Sequence, residues 1–282
     1  MNAYNKYIHD YEVCLIIRAY NSMRFIKEAI ESVFSQTYKE KIMIVILYDE
    51  GTSDDTLSVL NGIKFSGINR EILVIPHSHT SASRSLVFLD KIENEFDYYA
   101  FLDYDNFLEP KYLETVLEEF IKDKCDFIFS NLRYVDEYNN EVEDFLAPPK
   151  KLKLFPKLIL RGNFIDMNTI VLNKKTFMEL LDIVKSSAYM NNEWVHEDWI
   201  FGVLGIYLYK WKYLNITGVN YRVHGKNINY GNPNRAFIIK KDINTELLTL
   251  QLLWKRVSIM NKMRMIGKLI LSNIRLIHNL IK

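Results

Sequence analysis

The sequence predicts an α/β fold, a mixed and mostly parallel sheet flanked by helices, followed by a helical C-terminal extension. Short apolar runs recur through the first 130 residues, too short for buried helices and continuous enough for strands covered on both faces. Segments of helical periodicity separate them. Beyond Arg235 no strand pattern remains.

The runs are Val13 to Ile17, Ile42 to Tyr48, Ile72 to Ile75, Tyr99 to Leu102 and Phe127 to Phe129. Between the first two, Ser22 is placed to cap a helix whose apolar positions Phe25, Ile26, Ala29, Ile30, Val33 and Phe34 share one face. Further helices are expected over Ser53 to Leu60 and Ser81 to Ile92. Pro110 suits the first position of another, with Tyr112, Leu113, Val116, Leu117, Phe120 and Ile121 inward.

From Asn131 the pattern changes. Tyr134 to Val142 reads as a polar hairpin, and Pro148 and Pro149 mark a loop. Asn168 to Leu172 reads as a strand, Thr176 to Val184 as a helix, Asp198 to Tyr209 as a largely apolar helix, and Tyr213 to Val223 as extended chain broken at Gly218. The expected organisation is a first half over residues 1–130, a second half of the same domain over 131–235, and a helical extension over 236–282.

Composition excludes several classes. The chain has 282 residues, 49% hydrophobic, with Lys+Arg 36 balanced by Asp+Glu 35. It has enough apolar residues to bury a core, and no global basic field to hold nucleic acid. Cys14 and Cys125 each lie in apolar runs and lack zinc-site spacing, which fits a reducing compartment. No signal-like or spanning segment is read, so a cytoplasmic location is expected, peripheral on the cytoplasmic membrane face if the extension meets lipid. No G-x-G-x-x-G follows a strand, and no P-loop or G-x-S-x-G elbow occurs, which disfavours dehydrogenases, NTPases and α/β hydrolases.

The sharpest chemical feature is Phe101-Leu102-Asp103-Tyr104-Asp105-Asn106. Two carboxylates leave the C-terminal end of an apolar strand, where open α/β sheets bind ligands. Hard oxygen donors there suit Mg²⁺ or Mn²⁺ bridging phosphates; a solvated turn is the competing reading. Glu197 and Asp198 likewise fit either a site or the start of a helix, where acids are favoured. Their neighbours Trp194, His196 and Trp199 could form a platform for a sugar ring, or the two Trp could be core. His224, at a strand end before Gly225, fits a ligand or a satisfied polar residue equally.

Five elements in order raise the specificity. The first strand runs through Arg18 and Ala19 into Tyr20-Asn21, and the second into Asp49-Glu50-Gly51-Thr52-Ser53-Asp54-Asp55-Thr56. Ser81 to Leu86, the D-x-D element, His196 to Trp199 and Tyr221-Arg222-Val223-His224-Gly225-Lys226-Asn227 complete the series. Over residues 13–227 this resembles the family 2 glycosyltransferases of GT-A fold, with their Y-N, D-D-G-S-T-D-x-T, A-R-N, D-x-D, E-D and Y-R-x-H-x-x-N elements.

The resemblance implies a GT-A-like, Rossmann-like sheet, with residues 1–130 as the nucleotide-sugar-binding half of the domain and 131–235 as its acceptor-binding and catalytic half, and an inverting transfer of sugar from a nucleotide-diphosphate donor, UDP-linked, to a hydroxyl of a glycan or lipid-linked acceptor. Carried over by position, Ala19, Tyr20, Glu50, Arg84, Asp103 and Tyr104 would line the donor site, with Tyr20 stacking on uracil and Glu50 in the place of the acid that bonds the base. Asp105, with Asp103 and His224, would hold Mn²⁺ or Mg²⁺. Asp198 would be the catalytic base, with Trp194, Glu197 and Trp199 toward the acceptor. The sequence departs from the family pattern at Arg18 for Pro or Thr, Glu50 for Asp, Ser85 for Asn, Val87 for Gly and Asn106 for Asp. A sugar-nucleotide nucleotidyltransferase and a non-catalytic relative are the rival readings. The first would want a Gly-rich loop after the first strand, and the second would have lost these carboxylates.

The C-terminal segment is the one strongly basic region. No acid follows Glu246, whereas Lys255, Arg256, Lys262, Arg264, Lys268, Arg275 and Lys282 are basic. Arg264, Lys268, Arg275 and Lys282 share one helical side, with Met263, Ile266, Leu269, Ile270, Ile274, Ile277, Leu280 and Ile281 opposite. Residues 255–282 thus read as a basic amphipathic helix for an anionic membrane surface. The alternative is that its apolar face packs on the catalytic domain or a second subunit, making a homo-oligomer.

Overall fold

β1 (Val13–Ala19) is buried along both faces, and its residues divide alternately between two cores. Val13, Leu15 and Ile17 pack with the helix Ile26–Phe34 (α1), and Cys14 and Ile16 with the opposite layer. β2 (Ile42–Asp49) repeats the division. This is the behaviour of central parallel strands, whose side chains alternate between two covered faces. The computed structural model describes residues 12–63, 69–92, 96–142, 154–160, 162–186, 189, 195–225 and 235–281.

The remaining strands are β3 (Arg70–His77), β4 (Tyr98–Asp103), β5 (Phe107–Leu108), β6 (Phe127–Val135), β7 (Val171–Asn173) and β8 (Trp211–Arg222). They join one sheet in the order β3-β2-β1-β4-β7-β6-β8-β5. The first four neighbours are parallel, β7 runs antiparallel between β4 and β6, β6 and β8 are parallel, and β5 is antiparallel to β8. The expected halves therefore share one sheet.

The helices are α1, α2 (Thr56–Gly62), α3 (Ala82–Ser85), α4 (Tyr112–Asp123), α5 (Phe155–Leu158), α6 (Lys174–Lys185), α7 (Glu197–Leu208), α8 (Arg235–Leu253) and α9 (Ile259–Ile281), with 3-10 turns at Leu86–Lys91 and Met167–Thr169. Several boundaries differ from the sequence reading for local reasons. Ser22 starts α1 with its backbone carbonyl, while its hydroxyl meets Thr56. The Asp54 carboxylate accepts from the Thr56 amide and so starts α2 later than expected. Pro110 sits in the turn before α4, where its carbonyl takes the Thr37 amide. Asn168 begins no strand because the Asp166 side chain accepts its amide and winds Met167–Thr169 into a 3-10 turn. β6 continues through Asn131 to Val135 before turning on Asp136, which accepts from the amides of Tyr138 and Asn140.

α7 is apolar around its circumference and buried from Trp199 to Ile206, as such a helix must be. Its Gly205 passes so close to Phe127 that an added Cβ would lie 2.5 Å from the ring. α8 packs on α7, and α9 packs back along α8. The inward side of α9 carries Met265 and Ser272, with Lys268 half-buried beside them. Ser272 Oγ donates to Glu246 Oε1 at 2.8 Å, and Lys268 Nζ lies 3.5 Å from the same oxygen. The apolar stripe expected to seek cover faces outward. No helix among the described residues is long and apolar enough to cross a membrane.

Candidate active site

Parallel register brings Arg18 opposite Asp103 and Ala19 opposite Tyr48, so β1, β2 and β4 end side by side. Loops leaving these carboxyl ends form the rim at which an open α/β sheet binds ligands. Tyr20 is exposed there, its ring 5.0 Å from that of His79. Ala19 is buried beneath it. Of the two acids after β2, Glu50 is exposed and Asp49 is buried. The Asp49 carboxylate accepts from the Gly51 amide at 2.8 Å and lies 3.0 Å from His79 Nδ1. A run of Tyr20, His79 and Asp49 therefore borders this part of the rim.

Asp103 closes β4. Its Oδ1 takes Arg18 Nη2 at 2.6 Å, and its Oδ2 takes Asn168 Nδ2 at 3.1 Å. Asp105, two residues on, is buried, with Oδ2 2.9 Å from His224 Nε2. Burial pushes the Asp105 carboxyl up and the bond to His224 pulls it back. Tyr104 between them is half-buried; burial, then Asp105 and Asp103, raise its phenol well above the ordinary value. Arg222 anchors this corner. Its amide donates to Asn106 Oδ1, Nη1 to the Asp105 carbonyl, and Nη2 to Glu28 and Asn139. The D-x-D loop and the end of β8, which leads to His224, are thereby held together.

The acids at the start of α7 take different partners. Arg18 Nη1 reaches Glu197 Oε1 at 2.5 Å. Burial opposes charge on both, yet Arg18, and after it Lys241 from α8, hold the Glu197 carboxyl at about 2. Burial likewise works against the Arg18 charge, but Asp103 and Glu197 outweigh it and keep the guanidinium protonated. Asp198 accepts from Asn163 Nδ2 and from the Trp199 amide, both at 2.8 Å. Burial first and the Glu197 charge second raise its carboxyl above the usual range, while His196 and Lys241 pull it down. One helix terminus thus presents a strongly acidic carboxylate and, next to it, a more basic one.

Trp199 is buried at 5% exposure and donates its indole N–H to the Ile159 carbonyl, so it occupies the core and offers no open ring face to an acceptor in this conformation. Trp194 lies outside the described residues, as do Lys226 and Asn227 of the last motif. Arg84 stands half-buried on α3 beside the rim.

Sequence reasoning missed several residues that the fold adds. Asp166 is driven up to about 7 by burial, then by the charges of Asp198 and Asp103, against bonds from Asn168. Asn168 links the two acids, accepting the Asp103 amide with Oδ1 and donating to Asp166 and Asp103 with Nδ2. Asn163, Asp166 and Asn168 sit at short intervals in Asn163-Phe-Ile-Asp-Met-Asn168, where alternate polar residues among apolar ones were the only available signal. Lys241, Asp242 and Thr245 come from α8: Asp242 Oδ1 lies 3.0 Å from His196 Nε2, and Thr245 Oγ1 takes the His196 amide. Nothing local marked them.

A family model described as Glycosyl transferase family 2 matches residues 14–180. The chain belongs to glycosyl transferase family 2. The glycosyltransferase is 27% identical over 165 residues to the Escherichia coli UDP-Glc:alpha-D-GlcNAc-diphosphoundecaprenol beta-1,3-glucosyltransferase WfgD, covering 58% of this chain and 61% of that protein. Its fold matches S. aureus TarS 1–349 in complex with UDP-GlcNAc, with TM-score 0.63 and 13% identity over 93% of this chain and 72% of that one. It also matches the Pyrobaculum calidifontis mannosyltransferase PcManGT in complex with GDP-Man and Mn²⁺, with TM-score 0.57 and 10% identity over 93% and 74% of the two chains. These structures establish the GT-A architecture. The chain spans between 11% and 69% of the length of the leading curated relatives it matches.

The D-x-D corner can be tested for a divalent ion. Among the described residues no group of three or more His, Cys, Asp or Glu side chains could hold a metal by itself. Asp105 Oδ2 and His224 Nε2 nevertheless converge to 2.9 Å, both buried just beyond the end of β4. The Asp105 carboxylate fits Mg²⁺ or Mn²⁺ in the mode where one or two carboxylates are completed by substrate phosphates, and the His224 imidazole beside it is a softer donor that Mn²⁺ accepts more readily than Mg²⁺.

Proposed function

We propose that this glycosyltransferase moves a sugar from a UDP-linked donor to a hydroxyl of a glycan or lipid-linked acceptor, with inversion at the anomeric carbon. The observation that carries the reading is the division of labour at the start of α7. Glu197 is committed to Arg18, whereas Asp198, one residue on, keeps a carboxyl raised by burial and by Glu197. A carboxylate of raised basicity is suited to take a proton from an attacking hydroxyl. Asn163 and the Trp199 amide fix its orientation.

Tyr20 would cover the base, with His79 and Asp49 beside it, and Glu50 standing at the outer rim. Asp103 and Tyr104 would border the ribose and diphosphate, and Arg84 the phosphates and sugar. Asp105 and His224 would hold Mn²⁺ or Mg²⁺, which when bound neutralises charge on the departing diphosphate. Asp103 contributes less to such an ion than the resemblance implies, because one of its oxygens is engaged by Arg18 and the other by Asn168. An acceptor hydroxyl near Asp198 can attack in a single displacement, the proton passing to Asp198 as the glycosidic bond forms. No covalent intermediate on the enzyme is required.

Calorimetry with a panel of UDP- and GDP-sugars, with and without Mn²⁺, tests the donor and the metal. Binding of one UDP-sugar at least about tenfold tighter with Mn²⁺, and loss of that gain in Asp105→Ala, is the expected result. NMR of the product's anomeric configuration tests the inversion; a retained configuration, or turnover indifferent to chelation, overturns the corresponding part.

A further inference from the structure

α9 turns its apolar stripe to solvent. Ile259, Met263, Ile266, Ile270, Ile274 and Ile277 are 37% to 76% exposed. At about 100° per residue they fall within an arc of about 80°, a continuous ridge along the helix. From Ile259 to Ile277 this ridge is about 27 Å long on a helix of 23 residues. Monomeric soluble proteins seldom leave so ordered an apolar surface uncovered.

The rotation of the helix is set from the other side. Lys268 and Ser272 both engage Glu246 of α8, and Met265 packs beneath α9, so the polar anchor rather than the Ile stripe faces the protein. Charge then distinguishes among occupants. Arg264 and Arg275 border the ridge on one side and Lys262 on the other, Lys255 and Arg256 are exposed just before the helix, and residues 247–282 contain no acid. A second copy of this face would bring like charges together. An anionic, laterally apolar surface matches both the ridge and its flanks. Trp254 adds an anchor of suitable character, exposed and with Lys262 Nζ 4.8 Å from its ring centroid.

We propose that α9 is a membrane-docking face, which lies in the plane of an anionic lipid bilayer with Met263, Ile266, Ile270, Ile274 and Ile277 entering the acyl boundary and the flanking Arg and Lys meeting lipid phosphates. α9 reaches the catalytic centre through one helix: Glu246, which it engages, is one turn along α8 from Asp242 and next to Thr245, and these two contact His196. Docking would therefore set the orientation of the cleft relative to the lipid surface. The proposal concerns location and stands independently of the donor and acceptor named above.

The full-length chain is sedimented with vesicles of phosphatidylglycerol and phosphatidylethanolamine, and separately with phosphatidylcholine alone. Partition at least about tenfold stronger to the anionic vesicles is expected. Ile270→Asp with Ile274→Asp should lower it at least about tenfold while circular dichroism and the thermal midpoint stay unchanged, because both positions face solvent. Lys255→Gln with Arg256→Gln and Arg275→Gln should weaken anionic binding and flatten its salt dependence. Absence of sedimentation with anionic vesicles, or equal partition by the parent and the Asp variant, overturns the proposal. Light scattering that shows a dimer which the Asp variant converts to monomer, without vesicle binding by the parent, assigns the ridge to self-association instead.

Discussion

Arg18 Nη1 stands 2.5 Å from Glu197 Oε1, joining the end of the first strand to the start of a helix 179 residues later in the chain. Nη2 of the same guanidinium holds Asp103, so one cation spans the acid that ends β4 and the acid that starts α7. Without it, Glu197 and Asp198 would be adjacent negative charges facing Asp103 and Asp166. Removal should therefore affect stability and chemistry together.

Arg18→Met keeps much of the side-chain volume and leaves both carboxylates unpaired. The expected cost is about 3 kcal/mol, the low end for breaking a buried ion pair, measured by denaturant unfolding at about pH 7. Sign follows from Glu197, which is held at about 2 in the folded chain. A depressed carboxyl contributes stability fully above its unfolded value near 4.5 and loses it as pH falls toward about 2. The difference between parent and Arg18→Met should shrink over that acid window; a difference independent of pH there would mean that the pair contributes nothing.

Asp198→Asn retains the shape of the carboxylate and the bond from the Trp199 amide. Turnover should fall by at least about 100-fold with little change in donor affinity, as for loss of a general base. Glu197→Gln, which also removes a carboxylate at the helix start, should act through loss of the Arg18 pair and lower the unfolding midpoint. Near-normal turnover by Asp198→Asn would place proton removal elsewhere.

Asp166 titrates in the opposite sense to Glu197. Its folded value of about 7 lies above the ordinary aspartate range, so the folded state binds more protons than the unfolded state between about 4 and 7. Its contribution to stability is full below about 4 and is lost as pH rises to about 7, with a slope of at most about 1.4 kcal/mol per pH unit. In chelator-treated protein, Asp166→Asn should abolish that part of the pH dependence. An unchanged slope would show that Asp166 is ionised throughout.

Gly205→Ala sets two magnitudes against each other. Helix propensity favours alanine by about 1 kcal/mol. The new Cβ would lie 2.5 Å from Phe127, whose ring is fully buried, and overpacking of this kind costs about 1–3 kcal/mol. Net destabilisation by calorimetric melting is expected. A stabilised variant would mean that Phe127 moves freely.

Much of this protein was determined by the order of its residues. The apolar runs fell on the central strands because a strand covered on both faces needs no alternation, and that signal survives in short windows. The D-x-D acids and Glu197–Asp198 were legible for a similar reason, since the first stand where an apolar strand ends and the second where an apolar helix begins. Tertiary structure alone decided what those acids do. Arg18 binds partners 85 and 179 residues away at once, Asp166 acquires its high value only beside Asp198 and Asp103, and Trp199 goes to the core, where Ile159 supplies a carbonyl for its indole. The same holds for α9. Its periodicity announces an apolar face, but which face is buried depends on the surface it meets. That surface offers Glu246, whose buried carboxylate takes Ser272 and Lys268 on Oε1, and partnering this buried acid turns the isoleucines outward.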